Sequence, residues 1–231
     1  MIPLPRRLLA EFLGTALLVT VVVGSGIMAQ TLSPGDTGLQ LLQNSTATVL
    51  GLAVLILILG PISGAHFNPV VSLADWWHGG LPARDLAPYI AAQTSGAISG
   101  AMLANLMFAR PPITWSTTDR TSPHLWLGEL VATAGLILVI FCLARAGRTA
   151  AAPAAVAAYI GAAYWFTSST SFANPAVTIG RAFSDTFAGI APSSVPAFVA
   201  AQLVGGTIGM LLIHALFGTP EPVTPHPTVK R

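Results

Sequence analysis

Six stretches of mostly apolar residues, at 8–29, 39–60, 86–108, 125–144, 150–168 and 195–217, predict six long helices. Each approaches the roughly 20 residues needed to cross a bilayer core of about 30 Å. Two short segments break the pattern: Ser63-Gly64-Ala65-His66-Phe67-Asn68-Pro69-Val70 and Ser171-Phe172-Ala173-Asn174-Pro175-Ala176-Val177. Each holds an Asn-Pro pair in very apolar surroundings. Proline inside a helix removes a backbone donor and interrupts the ladder. Asn followed by Pro is instead a good helix start, with Asn as N-cap and Pro at the first helical position. The pairs therefore predict two new helices, from Asn68 to near Gly79-Gly80 and from Asn174 to near Asp185. About ten residues rise ~15 Å, half of the hydrocarbon thickness.

The two halves repeat. Ala10-Glu11-Phe12-Leu13-Gly14-Thr15 in the first span is similar to Gly128-Glu129-Leu130-Val131-Ala132-Thr133 in the fourth, and Ala92-Gln93 in the third to Ala201-Gln202 in the sixth. Each half runs Glu, Asn-Pro, Gln. Three spans per repeat is an odd number, so the second half enters the membrane upside down, as in inverted-repeat transport proteins. The fold expected is an all-α membrane protein with six transmembrane helices and two re-entrant half-helices, their Asn-capped N-termini meeting near the midplane. The organisation is a first repeat at 1–110, a connecting loop at 111–124, a second repeat at 125–217, and a disordered tail at 218–231 with four prolines.

Composition agrees with a membrane setting: 53% of residues are hydrophobic and 8% charged, against roughly 25% charged in soluble domains. A formal net charge of +2 gives no basis for nucleic-acid binding. The apolar run beginning near Leu8 reads as a retained span, since no small-residue cleavage site clearly follows it. With both termini cytoplasmic, that side holds Arg6, Arg7, Arg84, Arg145, Arg148, Lys230 and Arg231, and the other Arg110, Arg120 and Arg181. This excess favours both ends inside; the localisation expected is a multi-pass protein of the cell inner membrane. Cys142 is the lone cysteine, and His78, His124, His214 and His226 are scattered, so no metal site is indicated. No nucleophile–base pair or phosphate loop appears, which argues against an enzyme and against a cofactor. Trp76, Trp77, Trp115, Trp126 and Trp165 read as interfacial anchors. Gly96, Gly100, Gly205, Gly206 and Gly209 read as close-packing surfaces.

Helix N-termini carry partial positive charge, and two of them at the centre of a narrow passage repel cations, including hydronium. Each Asn oxygen can cap its own half-helix and leave its NH2 free to donate into the passage. Water accepting both amides then points its hydrogens away from the centre, which breaks a proton wire.

The two Asn-Pro segments resemble the signature boxes of the aquaporin, or major intrinsic protein, family, and Glu11, Glu129, Gln93 and Gln202 fall where that family has them. The resemblance covers nearly the whole chain except the tail. It implies a passive channel for water and small neutral solutes, and a homotetramer with one pore per subunit. The midplane residues are then Asn68, Pro69, Val70, Asn174, Pro175 and Ala176. The first box ends in Val rather than Ala, so Val70 is expected to add bulk beside the midplane. In family members an Arg directly follows the second box; here that position is Val177. Counting back from the boxes, the resemblance places the other constriction positions at Thr48, Ala162 and Ser171. All four side chains are small, and no aromatic wall or filter His accompanies them. The expectation is a wide, uncharged outer filter open to solutes larger than glycerol. This combination resembles bacterial aquaglyceroporin-like channels associated with arsenic resistance, which carry arsenite and methylated arsenicals.

Several residues keep two readings. Arg181, four residues after Val177 on the same helix face, is either a displaced charge at the pore mouth or half of a surface ion pair with Asp185. Glu11 and Glu129 either accept hydrogen bonds from the irregular backbone before each half-helix or carry protons. Gln93 and Gln202 either bond between helices or simply pack. His66 either lines the cytoplasmic pore, as the resemblance implies, or braces its loop. Broken helices in inverted repeats also build secondary active transporters, which remain the alternative to a channel. A membrane structural protein with a vestigial pore is the third reading, and the short loops argue against it.

Overall fold

A computed structural model of the chain describes residues 2–218. Eight α-helices follow in order: α1 (Leu4–Leu32), α2 (Thr37–Ser63), α3 (Pro69–Trp77), α4 (Ala83–Met107), α5 (Pro123–Arg145), α6 (Ala152–Phe166), α7 (Pro175–Arg181) and α8 (Val195–Phe217). Apart from Gly218, which ends α8 with φ 71°, the expected tail lies outside the described residues. By length and composition α1, α2, α5 and α8 each qualify alone as membrane spans. The other two long elements complete the repeat differently. α4 buries Asp85, Gln93 and Asn105 against its neighbours, and α6 has 15 helical residues entered through a single 3-10 turn at Thr149–Ala151.

The two short helices start where the Asn-Pro pairs put them. Asn68 and Asn174 are extended at the N-cap, and their side-chain oxygens accept from Val70 N and from Ala176 N and Val177 N. Such caps contribute about 1 kcal/mol each. α3 has nine residues and α7 seven, so they rise roughly 13 Å and 10 Å. α7 stops short of the expected end near Asp185. The Ala182 and Phe183 carbonyls accept Ser116 N (3.0 Å) and Thr114 N (3.1 Å) from the connecting loop. That loop lies across the segment after α7 rather than standing clear as a simple divide.

Close approach of backbones holds each half together. α1 packs on α4, and α5 on α8. A Cβ at Gly96 or Gly100 would collide with the Phe12 or Ala16 carbonyl of α1, and a Cβ at Gly205 with the Leu130 carbonyl of α5. In lipid, where no hydrophobic force drives helices together, such small-residue contacts carry the packing. The outward surface is apolar: Leu50, Leu57, Leu127, Leu211 and Leu216 are all exposed.

Gly100→Val and Gly205→Val are expected to lower stability by about 1–3 kcal/mol each, read as a lower Tm of the purified protein in detergent. Equal substitutions at Gly60, where a Cβ meets nothing, leave Tm within error.

Candidate functional site

The loops entering α3 and α7 are strained in the same way. Ala65 and Phe67 have φ of 50° and 49°, three and one residues before Asn68; Ser171 and Ala173 have 50° and 48° at the same offsets from Asn174. Left-handed backbone costs an ordinary residue about 1–2 kcal/mol, so each loop needs an anchor. Glu11 supplies the first. Its carboxylate accepts from Ser63 Oγ (2.6 Å), His66 N (3.0 Å), Phe67 N (2.7 Å) and Gln93 Nε2 (2.8 Å). Glu129 supplies the second, accepting from Phe172 N (2.8 Å), Ala173 N (2.8 Å) and Gln202 Nε2 (2.6 Å). Gln93 also donates to Ser72 Oγ and Gln202 to Thr178 Oγ1, tying each long helix to its half-helix.

The half-helices meet through a reciprocal brace. Asn68 Nδ2 donates to the Ala173 carbonyl and Asn174 Nδ2 to the Phe67 carbonyl, both at 2.7 Å. The expectation of an NH2 wholly free for the passage is corrected: one hydrogen of each amide is bound to the opposite loop, and the other remains to face a permeant.

A cavity of about 690 Å³ passes both asparagines. Gly64 to Asn68 and Ser171 to Asn174 form its polar edge, and Leu18, Val22, Leu52, Ile56, Leu136 and Ile160 form much of an apolar wall. Thr48, Ser171 and Val177 line it. Ala162 does not; it is exposed on the outer face of α6, because the helix turns Ile160 and Tyr164 inward instead. The expectation of no aromatic there is corrected too: Tyr164 lines the cavity, its hydroxyl 3.2 Å from Thr48 Oγ1. Its spacing two residues from Ala162, on the opposite helix face, was the signal available. Pro69, Val70, Pro175 and Ala176 are buried but do not line the cavity. Val70 does not narrow the midplane, because it packs where Gly206 of α8 has no side chain.

Arg181 departs furthest from an uncharged filter. It is 2% exposed, lines the cavity and holds its guanidinium carbon 3.4 Å from the Phe172 ring centroid. Its Nε donates to the Ala188 carbonyl. The ion pair with Asp185 does not form: that carboxylate accepts from Thr117 N (2.9 Å) and Thr117 Oγ1 (3.1 Å), clamping the connecting loop. Arg120, from the same loop, donates to the Gly189 and Ser169 carbonyls and also approaches Phe172, at 4.9 Å. Burial pulls the Arg120 guanidinium below its ordinary pKa, and the negative charge of Glu129 opposes that shift.

At the other end of the cavity His66 and Asp75 line the wall, with His66 Nε2 3.5 Å from Asp75 Oδ2 and Nδ1 3.1 Å from Ser72 Oγ. His66 therefore lines the cavity and braces its loop at once. Asp75 went unnoticed in the sequence, although it stands four residues after cavity-lining Val71 on the same face of α3.

An inverted repeat, two half-helices braced at their tips and a cavity passing between them define a polytopic membrane channel. The sequence pattern of the family described as Major intrinsic protein matches residues 2–171, and the chain belongs to that family. Among its relatives, aquaglyceroporin AqpS of Rhizobium meliloti (strain 1021) is 51% identical over 220 residues, covering 95% of this chain and 94% of its own. Aquaporin Z of Brucella melitensis is 33% identical over 237 residues, covering 92% and 98%. The solved aquaglyceroporin of Plasmodium falciparum shares the fold, with a TM-score of 0.65 at 22% identity over 94% of this chain and 96% of that one. The chain is thus a passive channel for water and small solutes, and not an enzyme.

Glu129→Gln replaces an acceptor by a group that must present an NH2 to a donor. It is expected to cost about 2–4 kcal/mol, since hydrogen bonds to a charged acceptor contribute roughly 1.5–3 kcal/mol each and are not additive. Glu11→Gln should behave alike. Thermal unfolding and osmotic water permeability of reconstituted protein check both.

Proposed function

We propose that this channel carries glycerol-like polyols, arsenite and methylated arsenicals in their neutral forms, besides water. The observation that carries the reading is Val177 on the wall of a cavity with a polar edge and an apolar side. A small residue there leaves room that an Arg would fill. A polar edge suits hydroxyls, and an apolar wall suits CH2 and CH3 groups; neutral arsenous acid presents hydroxyls as a polyol does. The relative named aquaglyceroporin AqpS supports the polyol, and the resemblance to arsenic-associated channels supports the arsenicals. Four such subunits assemble around a common axis, and both termini face the cytoplasm of an inner membrane, as the excess of basic residues on that side favours.

Stopped-flow permeability of proteoliposomes to water, glycerol, urea, arsenite and methylated arsenicals, with a proton-leak control, tests the proposal. Val177→Arg is expected to lower glycerol and methylarsenical flux about tenfold, equivalent to ~1.4 kcal/mol, and water flux less. Unchanged flux of the larger solutes in that variant would overturn the wide-filter reading.

A further inference from the structure

We propose that the end of the cavity at Arg181 is a binding site for small oxyanions, such as monoanionic phosphonates and carboxylates, which compete there with neutral permeants. The inference rests on the cavity being the permeation path. Arg181 is 98% buried by its 2% exposure, and only its Nε has a protein acceptor among the described residues. The terminal guanidinium nitrogens are donors without partners on the wall of a water-accessible cavity. Ser171 lines the same cavity, and its Oγ is buried with no hydrogen-bond partner.

Among the described residues no carboxylate forms an ion pair with Arg181; Glu129 favours its charge only at longer range. The ion pairs among the described residues are Arg7–Asp85, His66–Asp75 and Arg84–Asp85. The charged and titratable groups that act on Arg181 are Tyr164, Arg120 and Glu129. Glu129 already accepts from Phe172, Ala173 and Gln202, and Arg120 adds a second positive charge beside Phe172. A buried charge without a counter-ion is unfavourable, and an oxyanion in the mouth relieves it while filling the forked donors of the guanidinium.

The opposite end cannot do the same. Asp75 is seven residues after Asn68, and Arg181 is seven after Asn174, so the repeat places opposite charges at matching positions on one cavity. An anion is favoured at one end and repelled at the other.

The test is glycerol flux in proteoliposomes equilibrated on both sides with sodium methylphosphonate or with sodium chloride at equal ionic strength. Methylphosphonate should slow flux saturably, and chloride, lacking several acceptor oxygens, should act at least ~10-fold more weakly. Arg181→Gln should raise the inhibition constant about tenfold or more, Arg181→Lys should retain part of the inhibition, and Ser171→Ala should weaken it. Asp75→Asn should not weaken it. Each is normalised to the variant's own flux without methylphosphonate. Should Arg181→Gln fail to fold, the contrast between the two salts on the unaltered protein still decides. Equal slowing by both salts, or inhibition that survives Arg181→Gln, would overturn the site. Absence of glycerol flux before any anion is added would instead overturn the permeation path.

Discussion

Glu11 and Glu129 are fully buried, and the chain converges on them. A carboxylate in the low-dielectric middle of a membrane protein is tolerated only when its oxygens are filled. Here they are filled by backbone N–H groups of His66 and Phe67 and of Phe172 and Ala173, the residues whose backbones are strained. The same bonds thus satisfy a buried charge and fix two loops that no helix or sheet would hold. From those loops Asn68 and Asn174 start their half-helices, and the asparagines in turn grip the opposite loops.

The scaffold is symmetric, but the charges placed on it are not. Val71 and Val177 occupy matching positions three residues after each Asn, and Ser72 and Thr178 matching positions four residues after. Ser72 and Thr178 accept from Gln93 and Gln202 in the same manner. One turn later the halves diverge, with Asp75 beside His66 at one end and Arg181 over Phe172 at the other. An inverted repeat turns that difference into a direction along the cavity. Under the permeation path proposed above, solute selection would depend on which charge a permeant meets as well as on the size of Val177.

Much of the architecture is legible in the chain because its physical causes are local. Twenty apolar residues demand a span. Asn-Pro demands a helix start. Recurrence of Glu, Asn-Pro and Gln in each half demands a repeat. The helix ends are less legible, because tertiary bonds set them: α7 stops at Arg181 once the connecting loop takes the carbonyls of Ala182 and Phe183. The filter is less legible again. Counting back from the boxes gives Ala162, but the rotation of α6 against its neighbours decides whether Ala162 or Tyr164 faces inward, and it is Tyr164. Val70 is seen to be harmless only once Gly206 is seen beside it.

The sequence by itself determined the class of the protein and the two re-entrant starts, and it singled out Glu11 and Glu129 as a matched pair, since hydrophobic length, capping chemistry and repetition all act within short stretches of chain. The tertiary structure alone decided where Arg181 goes. Its i+4 spacing to Asp185 allowed an ion pair, but Asp185 bonds the connecting loop, which lies far away in sequence. That long-range contact leaves the guanidinium to the cavity, because a carboxylate already held by two donors of Thr117 gains little by turning away from them.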